Sequence, residues 1–97
     1  MKRLTGKTLQ EYEQRSSVIK AIAHPTRLFI LDLLREGTLC VCEINDLIDA
    51  DVSTISKHLS LLKNAGLVSS QKSGLQVHYR LEMPCVLDAL TCINNKK

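Results

Sequence analysis

Aromatic side chains are scarce in this sequence. Tyr12, Phe29 and Tyr79 make up 3 % of it, and there is no tryptophan. A core without large rings must be built from Leu, Ile, Val and Ala, which suits a mainly helical protein. No apolar run approaches the roughly 18 residues that a membrane span needs. The N-terminal MKRLTGKTLQEYEQR lacks the apolar segment of a secretory signal. The expectation is a cytoplasmic protein with no membrane partner. Internal repeats and low-complexity tracts are also missing. Nor does one sign of charge dominate: the net charge is +3, which permits DNA binding without demanding it, because placement matters more than the sum. At 97 residues the expectation is one small domain, 1–97, whose modest core would gain from oligomerisation.

One further absence is local. From Val52 to Val68, VSTISKHLSLLKNAGLV, there is no carboxylate. Asp51 is a good N-cap, since its side chain can take an orphan backbone N–H of the first turn. Val52, Ile55, Leu59 and Leu62 recur at three- and four-residue spacing and so share a buried face. Ser53, Thr54, Lys57, Ser60 and Asn64 fall opposite. Gly66 supplies the left-handed residue that ends helices. A helix whose outer face is short, polar and basic can approach a polyanion, its hydroxyls and ammonium suiting phosphate oxygens and base edges. The same pattern also describes an ordinary solvated amphipathic helix.

The surrounding chain supplies a context. Residues 1–7 are basic and aperiodic, the pattern of a frayed arm. Residues 8–23 read as a helix with core only in its second half. Pro25 restarts the chain as a strongly apolar helix to Arg35, ended by Glu36-Gly37. Thr38 to Ile48 reads as a short helix capped by Thr38 and buried through Ile44, Leu47 and Ile48. Asp49-Ala50-Asp51 is then a tight turn in which Asp49 can take a left-handed conformation. Short helix, turn and second helix make a helix-turn-helix. Val68–Lys72 and Leu75–Leu81, joined by Ser73-Gly74, read as a hairpin, the wing that follows a recognition helix. Pro84 opens a last helix with a stripe of Cys85, Val86, Ala89, Leu90, Cys92 and Ile93. The fold class is mainly α with a two-stranded wing: a winged helix-turn-helix of about five helices.

Four cysteines in a cytosolic chain point to free thiols, metal ligands or redox groups rather than structural disulfides. Cys40 and Cys42 form a C-x-C pair, and thiolates select soft ions: As(III), Sb(III), Cd(II) or Pb(II). Their place near a helix start favours the thiolate. Two small buried hydrophobes are the bland alternative. On a regular helix, residues i and i+2 point about 200° apart, so both can hold one ion only if the first turn unwinds or each looks to another partner. The expectation is that ion capture distorts the 38–48 helix and tilts the DNA-reading helix packed on it. Cys85 and Cys92 lie on one face about 10.5 Å apart along the helix. They are candidates for a third thiolate, for a disulfide with Cys40 or Cys42, or for packing. His24, His58 and His78 form no zinc-like cluster with them; His58 is a candidate phosphate donor or a packing residue.

The run AIAHPTRLFILDLLREGTLCVCEINDLI followed by STISKHLSLLKNAGLVSSQKSGLQVHYRL resembles the ArsR/SmtB family of metal-responsive winged-helix repressors over about residues 18–81. The markers are AHPTR, the CVC after GTL, S-x-x-S-K-H-L and the AGLV–G–VHYRL hairpin. The resemblance implies a homodimer joined through the first and last helices (8–23 and 84–95), double-stranded operator DNA as partner, and release of DNA when an inducer binds. Two positions depart from the pattern. Val52 stands where a base-reading polar residue is common, and Asn45 stands where arsenic-responsive members carry the third cysteine of C-V-C-x-x-C. The SmtB-type zinc site on the last helix needs Asp/His pairs, and only Asp88 is there, though Zn(II) stays among the candidate ions. The function expected is a repressor that releases its operator when As(III) or another soft ion binds Cys40 and Cys42, with Cys85 or Cys92 as further ligands. Ser53, Thr54, Ser56, Lys57, His58, Lys63, Lys72, Gln76 and Arg80 are the candidate DNA contacts. A thiol-redox or persulfide-sensing repressor of the same fold is the alternative, and a small thiol oxidoreductase a remote one that lacks a thioredoxin-like βαβ pattern.

Overall fold

Apolar spacing and end signals agree along most of this chain, and the computed structural model, which describes residues 3–94, follows them. The order is α1 (Gly6–Ile22), α2 (Pro25–Arg35), β1 (Leu39–Cys40), α3 (Val41–Leu47), α4 (Val52–Asn64), β2 (Val68–Ser73), β3 (Gln76–Leu81) and α5 (Val86–Asn94). The core gathers Ile30, Leu31 and Leu34 of α2, Ile44 of α3 and Ile55, Leu59 and Leu62 of α4, closed by Leu67, Val68 and Leu87. α4 is framed as its sequence dictates. Asp51 accepts the Thr54 N–H at 3.3 Å. At the far end Gly66 takes φ +80°, and the Leu67 N–H bonds the Leu62 carbonyl while the Gly66 N–H bonds that of Lys63, both at 3.0 Å, a paired closure of the last turn.

Several expectations are corrected. The arm is shorter, because α1 already begins at Gly6 after Thr5; residues 1–2 of it, and residue 95 of the last helix, lie outside the described residues. Thr38 does not open the third helix. Leu39 and Cys40 instead pair antiparallel with Tyr79 and His78 of β3, so the wing gains a third strand in the order β1-β3-β2. The chain turns helical only at Val41. Among the described residues no non-glycine has positive φ: α3 ends on an extended Ile48, which removes the need for a left-handed Asp49. The hairpin turn is Gly74-Leu75, one residue later than expected, with Ser73 opposite Gln76 and Gly74 at φ +63°, the Gly-first turn that matches strand twist. Val52 does not share the buried face. It is the first residue of α4, beyond the reach of the core, and 59 % exposed. In α5 the inward residues are Leu87, with Val86 and Leu90 beside it; Cys85, Ala89, Cys92 and Ile93 face out.

Candidate functional site

Two groups of residues meet around α4. The first is its outer face with the wing. Ser53, Thr54, Ser56 and Lys57 are exposed at its N-terminal half and Lys63 near its end; Lys72, Gln76 and Arg80 are exposed on the wing strands. Ser53 donates to the Asp51 carboxylate at 3.0 Å, and these bonds from Thr54 and Ser53 hold that carboxyl below its ordinary value. Arg80 is the one basic member of this set that has a carboxylate partner among the described residues. Its Nη2 lies 2.9 Å from Glu82 Oε2, which also accepts Ser69 Oγ at 2.5 Å. Those two donors lower the Glu82 carboxyl.

His58 stands apart from the rest of the set. It is half-buried, its Nδ1 lies 3.2 Å from Arg27 Nη1, and its ring centre is 4.4 Å from that of His24. Arg27 also donates to the Ala21 carbonyl at 2.5 Å and the Lys20 carbonyl at 3.5 Å, while His24 caps α2 by accepting the Thr26 N–H at 3.1 Å. One guanidinium therefore ties the end of α1 to α4 beside the start of α2. Sequence reasoning missed this cluster. The signal was there in AHPTR, read as a helix break and a family marker but not as a side-chain cluster. Burial, then the positive charges available to His24 and Arg27, hold the His58 imidazole below its ordinary value near 6.5. A proton gained there would turn an acceptor for Arg27 into a second donor.

The sign of the pH effect follows. The unfolded chain takes up this proton near pH 6.5 and the folded chain only below that, so stability is full above about pH 6.5 and falls as the pH drops from there towards the folded value. Denaturant melts between about pH 7.5 and about pH 5.5 should show this loss above the range where Asp51 and Glu82 titrate. His58→Gln, which keeps an acceptor for Arg27, should flatten it. Equal slopes in both proteins would remove His58 as the cause.

The second group is the thiol pair. Cys40, 4 % exposed, is not in α3 but caps it, with extended φ −79° and ψ 158°. Its sulfur accepts the Glu43 N–H at 3.4 Å, and Glu43 Oε1 accepts the Cys40 N–H at 3.0 Å. This is a capping box with sulfur in the usual place of oxygen, legible as C-x-x-E. Cys42, in the first turn, is exposed. Because Cys40 lies outside the helical spiral, the 200° separation does not apply. The two Cα atoms are 5.4 Å apart and the sulfurs are joined as a disulfide over an intact first turn. The two sulfurs can thus meet with the first turn of α3 in place. Cys42 Sγ also lies 3.3 Å from Gln76 Oε1 on the wing. One turn along, Asn45 Oδ1 is buried without a hydrogen-bond partner.

Cys85 and Cys92 are free and exposed. Among the described residues no three Cys, His, Asp or Glu side chains come together as an ion site, so a third thiolate is not delivered within one chain. The disulfide joins Cys40 to Cys42 rather than to either of these. No helix is long and apolar enough to cross a membrane among the described residues.

Residues 24–70 match the family model described as bacterial regulatory protein, arsR family. An uncharacterized HTH-type transcriptional regulator, MJ1325 of Methanocaldococcus jannaschii, is 46 % identical over 67 residues, 68 % of this chain and 75 % of that one. The arsenical resistance operon repressor of Escherichia coli is 46 % identical over 65 residues, 66 % of this chain and 56 % of that one. A cadmium resistance transcriptional regulatory protein CadC homolog of Staphylococcus aureus is 41 % identical over 68 residues, 69 % of this chain and 56 % of that one. The match thus spans little more than half the length of the last two. Among solved structures, NolR from Sinorhizobium fredii superimposes with a TM-score of 0.82 at 27 % identity, covering 98 % of this chain and 95 % of that one. The homodimeric winged helix-turn-helix DNA-binding domain Mb0332 from Mycobacterium bovis gives 0.81 at 32 % identity, covering 98 % and 90 %.

Proposed function

The chain belongs to the arsR family of bacterial regulatory proteins, transcriptional regulators and not enzymes, and on that premise we propose that it is a homodimeric repressor that leaves its operator when a soft ion takes Cys40 and Cys42. The family and fold remove the thiol-oxidoreductase alternative. The observation that carries the soft-ion reading is the convergence of these two sulfurs beside α4 and the wing.

The donor set suits a soft, thiophilic ion. Two sulfurs meet, and where the family pattern has a third there is an orphan carboxamide oxygen on Asn45. As(III) is the inducer favoured, with Sb(III), Cd(II), Pb(II) and Zn(II) as the other ions to be tried. Once a cellular thiol has reduced the pair to two S–H groups, the ion would sit on the two sulfurs, releasing their protons, and Cys85 or Cys92 of a second copy is the candidate source of a third. The DNA side rests on α4 and the wing: Ser53, Thr54 and Ser56 towards base edges, Lys57, Lys63, Lys72 and Arg80 towards phosphates, Gln76 on the wing. His58 is assigned instead to the Arg27 cluster. Pairing of two copies through α1 and α5 is supported by their uncovered apolar side chains, Leu9, Tyr12 and Ile19 on one and Ile93 on the other. α1 has no buried residue in the single chain.

A second reading is favoured by one observation, the closure of Cys40 on Cys42 as a disulfide. A repressor sensing oxidant through this pair would lose two protons and two electrons to, for example, a peroxide. Titrating As(III), Cd(II), Zn(II) and hydrogen peroxide against the operator complex, in the parent and in Cys40→Ser, Cys42→Ser, Cys85→Ser and Cys92→Ser, separates the two. Release by micromolar arsenite or cadmium that needs Cys40 and Cys42 is the expected result. Release by peroxide alone, reversed by reductant, would replace the soft-ion reading with the redox one.

A further inference from the structure

The thiol pair is closed as a disulfide in this structure, so it offers no thiol for an ion to take or a peroxide to oxidise until another thiol opens it. Opening goes through a mixed disulfide, and access helps decide which sulfur is attacked. The two sulfurs differ sharply in access. Cys40 is 4 % exposed and stands in the sheet opposite His78, and its sulfur accepts the Glu43 N–H at 3.4 Å. Cys42 is exposed and forms part of the wall of an open cleft that Cys40 does not line. The cleft, between α3, α4 and the outer end of the wing, holds about 470 Å³, a volume usual for small-molecule sites. Its walls carry no charged side chain: the carboxamides of Asn45 and Gln76 and the Ser56 hydroxyl stand among apolar Val41, Leu75 and Val77. Asn45 Oδ1 is buried without a hydrogen-bond partner, an acceptor that the chain leaves short of an N–H.

We propose that this cleft receives a low-molecular-weight thiol bearing amide groups, and that Cys42 is the sulfur it attacks to open the pair. Amides rather than charges suit walls that are polar but uncharged, and an amide N–H is what the Asn45 oxygen lacks. The incoming thiol gives its proton to solvent and its sulfur attacks Cys42 Sγ. A new S–S bond forms there, the Cys40–Cys42 bond breaks, and Cys40 leaves with the electron pair as a thiolate that keeps the Glu43 N–H. A second molecule of the same thiol then attacks the sulfur of the first. The two depart as a small disulfide, Cys42 takes the electron pair, and solvent protonates both protein sulfurs. Two small thiols are thus oxidised and the protein pair is reduced to the dithiol. The inference does not depend on whether an ion or an oxidant is the signal, since both act on the dithiol.

The full-length protein with Cys85→Ser and Cys92→Ser, free of DNA, supplies the background for the test. Adding Cys40→Ser leaves Cys42 alone, so an adduct there has no neighbouring thiol to expel it; adding Cys42→Ser leaves Cys40 alone. Each reduced variant is mixed with pantethine, the disulfide of a neutral diamide thiol, and the adduct is followed by intact mass. Cys42 should be modified at least about tenfold faster than Cys40. Hydroxyethyl disulfide, which has no amide, is the comparison. In the folded protein, Cys42 should favour pantethine over it by about fivefold more than the same cysteine does in the urea-unfolded chain, the weight of one ordinary hydrogen bond. Asn45→Leu should bring that preference down to the unfolded level. In the parent, brief treatment of the closed pair with pantetheine, followed by N-ethylmaleimide, should leave pantetheine on Cys42 and the maleimide on Cys40. Modification of Cys40 as fast as Cys42, or pantetheine found first on Cys40, would overturn Cys42 as the entry point. A preference that is equal in the folded and unfolded chains, or undiminished by Asn45→Leu, would remove the cleft as a thiol site. Both failures leave the soft-ion reading standing, because that reading needs only the dithiol.

Discussion

Replacing Cys40 and Cys42 together by serine should leave a folded, operator-binding protein that arsenite and cadmium can no longer release. The fold survives because serine is among the preferred N-cap residues. At position 40 its hydroxyl can accept the Glu43 N–H that the sulfur now takes, and position 42 is exposed. The response fails because a soft ion gains little from hydroxyls in place of thiolates, so its affinity should drop by at least about a hundredfold, roughly 2.7 kcal/mol. Thermal melts and operator titrations with and without arsenite check both halves. If the double variant lets go of its operator at the concentrations that release the parent, the inducer does not act through this pair. Cys85→Ser and Cys92→Ser supply the contrast. Their side chains are exposed in one chain, so a weakened response from either would place a third sulfur across the dimer, whereas weakened pairing with unchanged ion affinity would assign them to the interface.

The second large effect is on salt. DNA affinity that rests on phosphate neutralisation falls with log salt at a slope of about 0.9 per contact. Lys57, Lys63, Lys72 and Arg80 offer four contacts per subunit. Arg80 already shares its charge with Glu82 at 2.9 Å, so it contributes fully only if it leaves that partner. A dimer should then show a slope between about −5 and −7, and lose roughly 10³- to 10⁴-fold in affinity from about 50 mM to about 200 mM salt. Glu82→Gln, which frees Arg80, should steepen the slope. Affinity that does not depend on salt would remove these residues, and the face of α4 they flank, from the DNA interface.

The parts of this fold that sequence foretold are those where local signals agree. α4 was legible because Asp51, the spacing of Ile55, Leu59 and Leu62, and Gly66 all mark one helix. Val52 was misplaced for a physical reason: periodicity gives the direction of a side chain but not where the core ends along the axis. α5 is apolar nearly all round, so its pattern did not separate Leu87, which is buried, from Cys85 and Cys92, which are not. β1 is two residues long, too short to alternate, and its partner lies far along the chain. That strand places Cys40 outside the helix, and with it goes the supposed opposition of the two sulfurs. The cap itself was visible as C-x-x-E, but capping rules are framed for oxygen. The Arg27–His58 contact joins residues 31 apart and belongs to tertiary packing alone.

Arg27 has a consequence for geometry at a larger scale. Its guanidinium grips the tail of α1 on one side and His58 of α4 on the other. If two copies join along α1 and α4 enters the groove, as proposed, a roll of α1 would be passed on through a flat, rigid cation to α4. On that arrangement the gauge between the two half-sites would be set inside each subunit as much as at the seam between them. A lysine at the same position, with a single flexible ammonium, would leave the two reading heads at variable pitch, and such a repressor would tolerate operators whose half-sites are wrongly spaced.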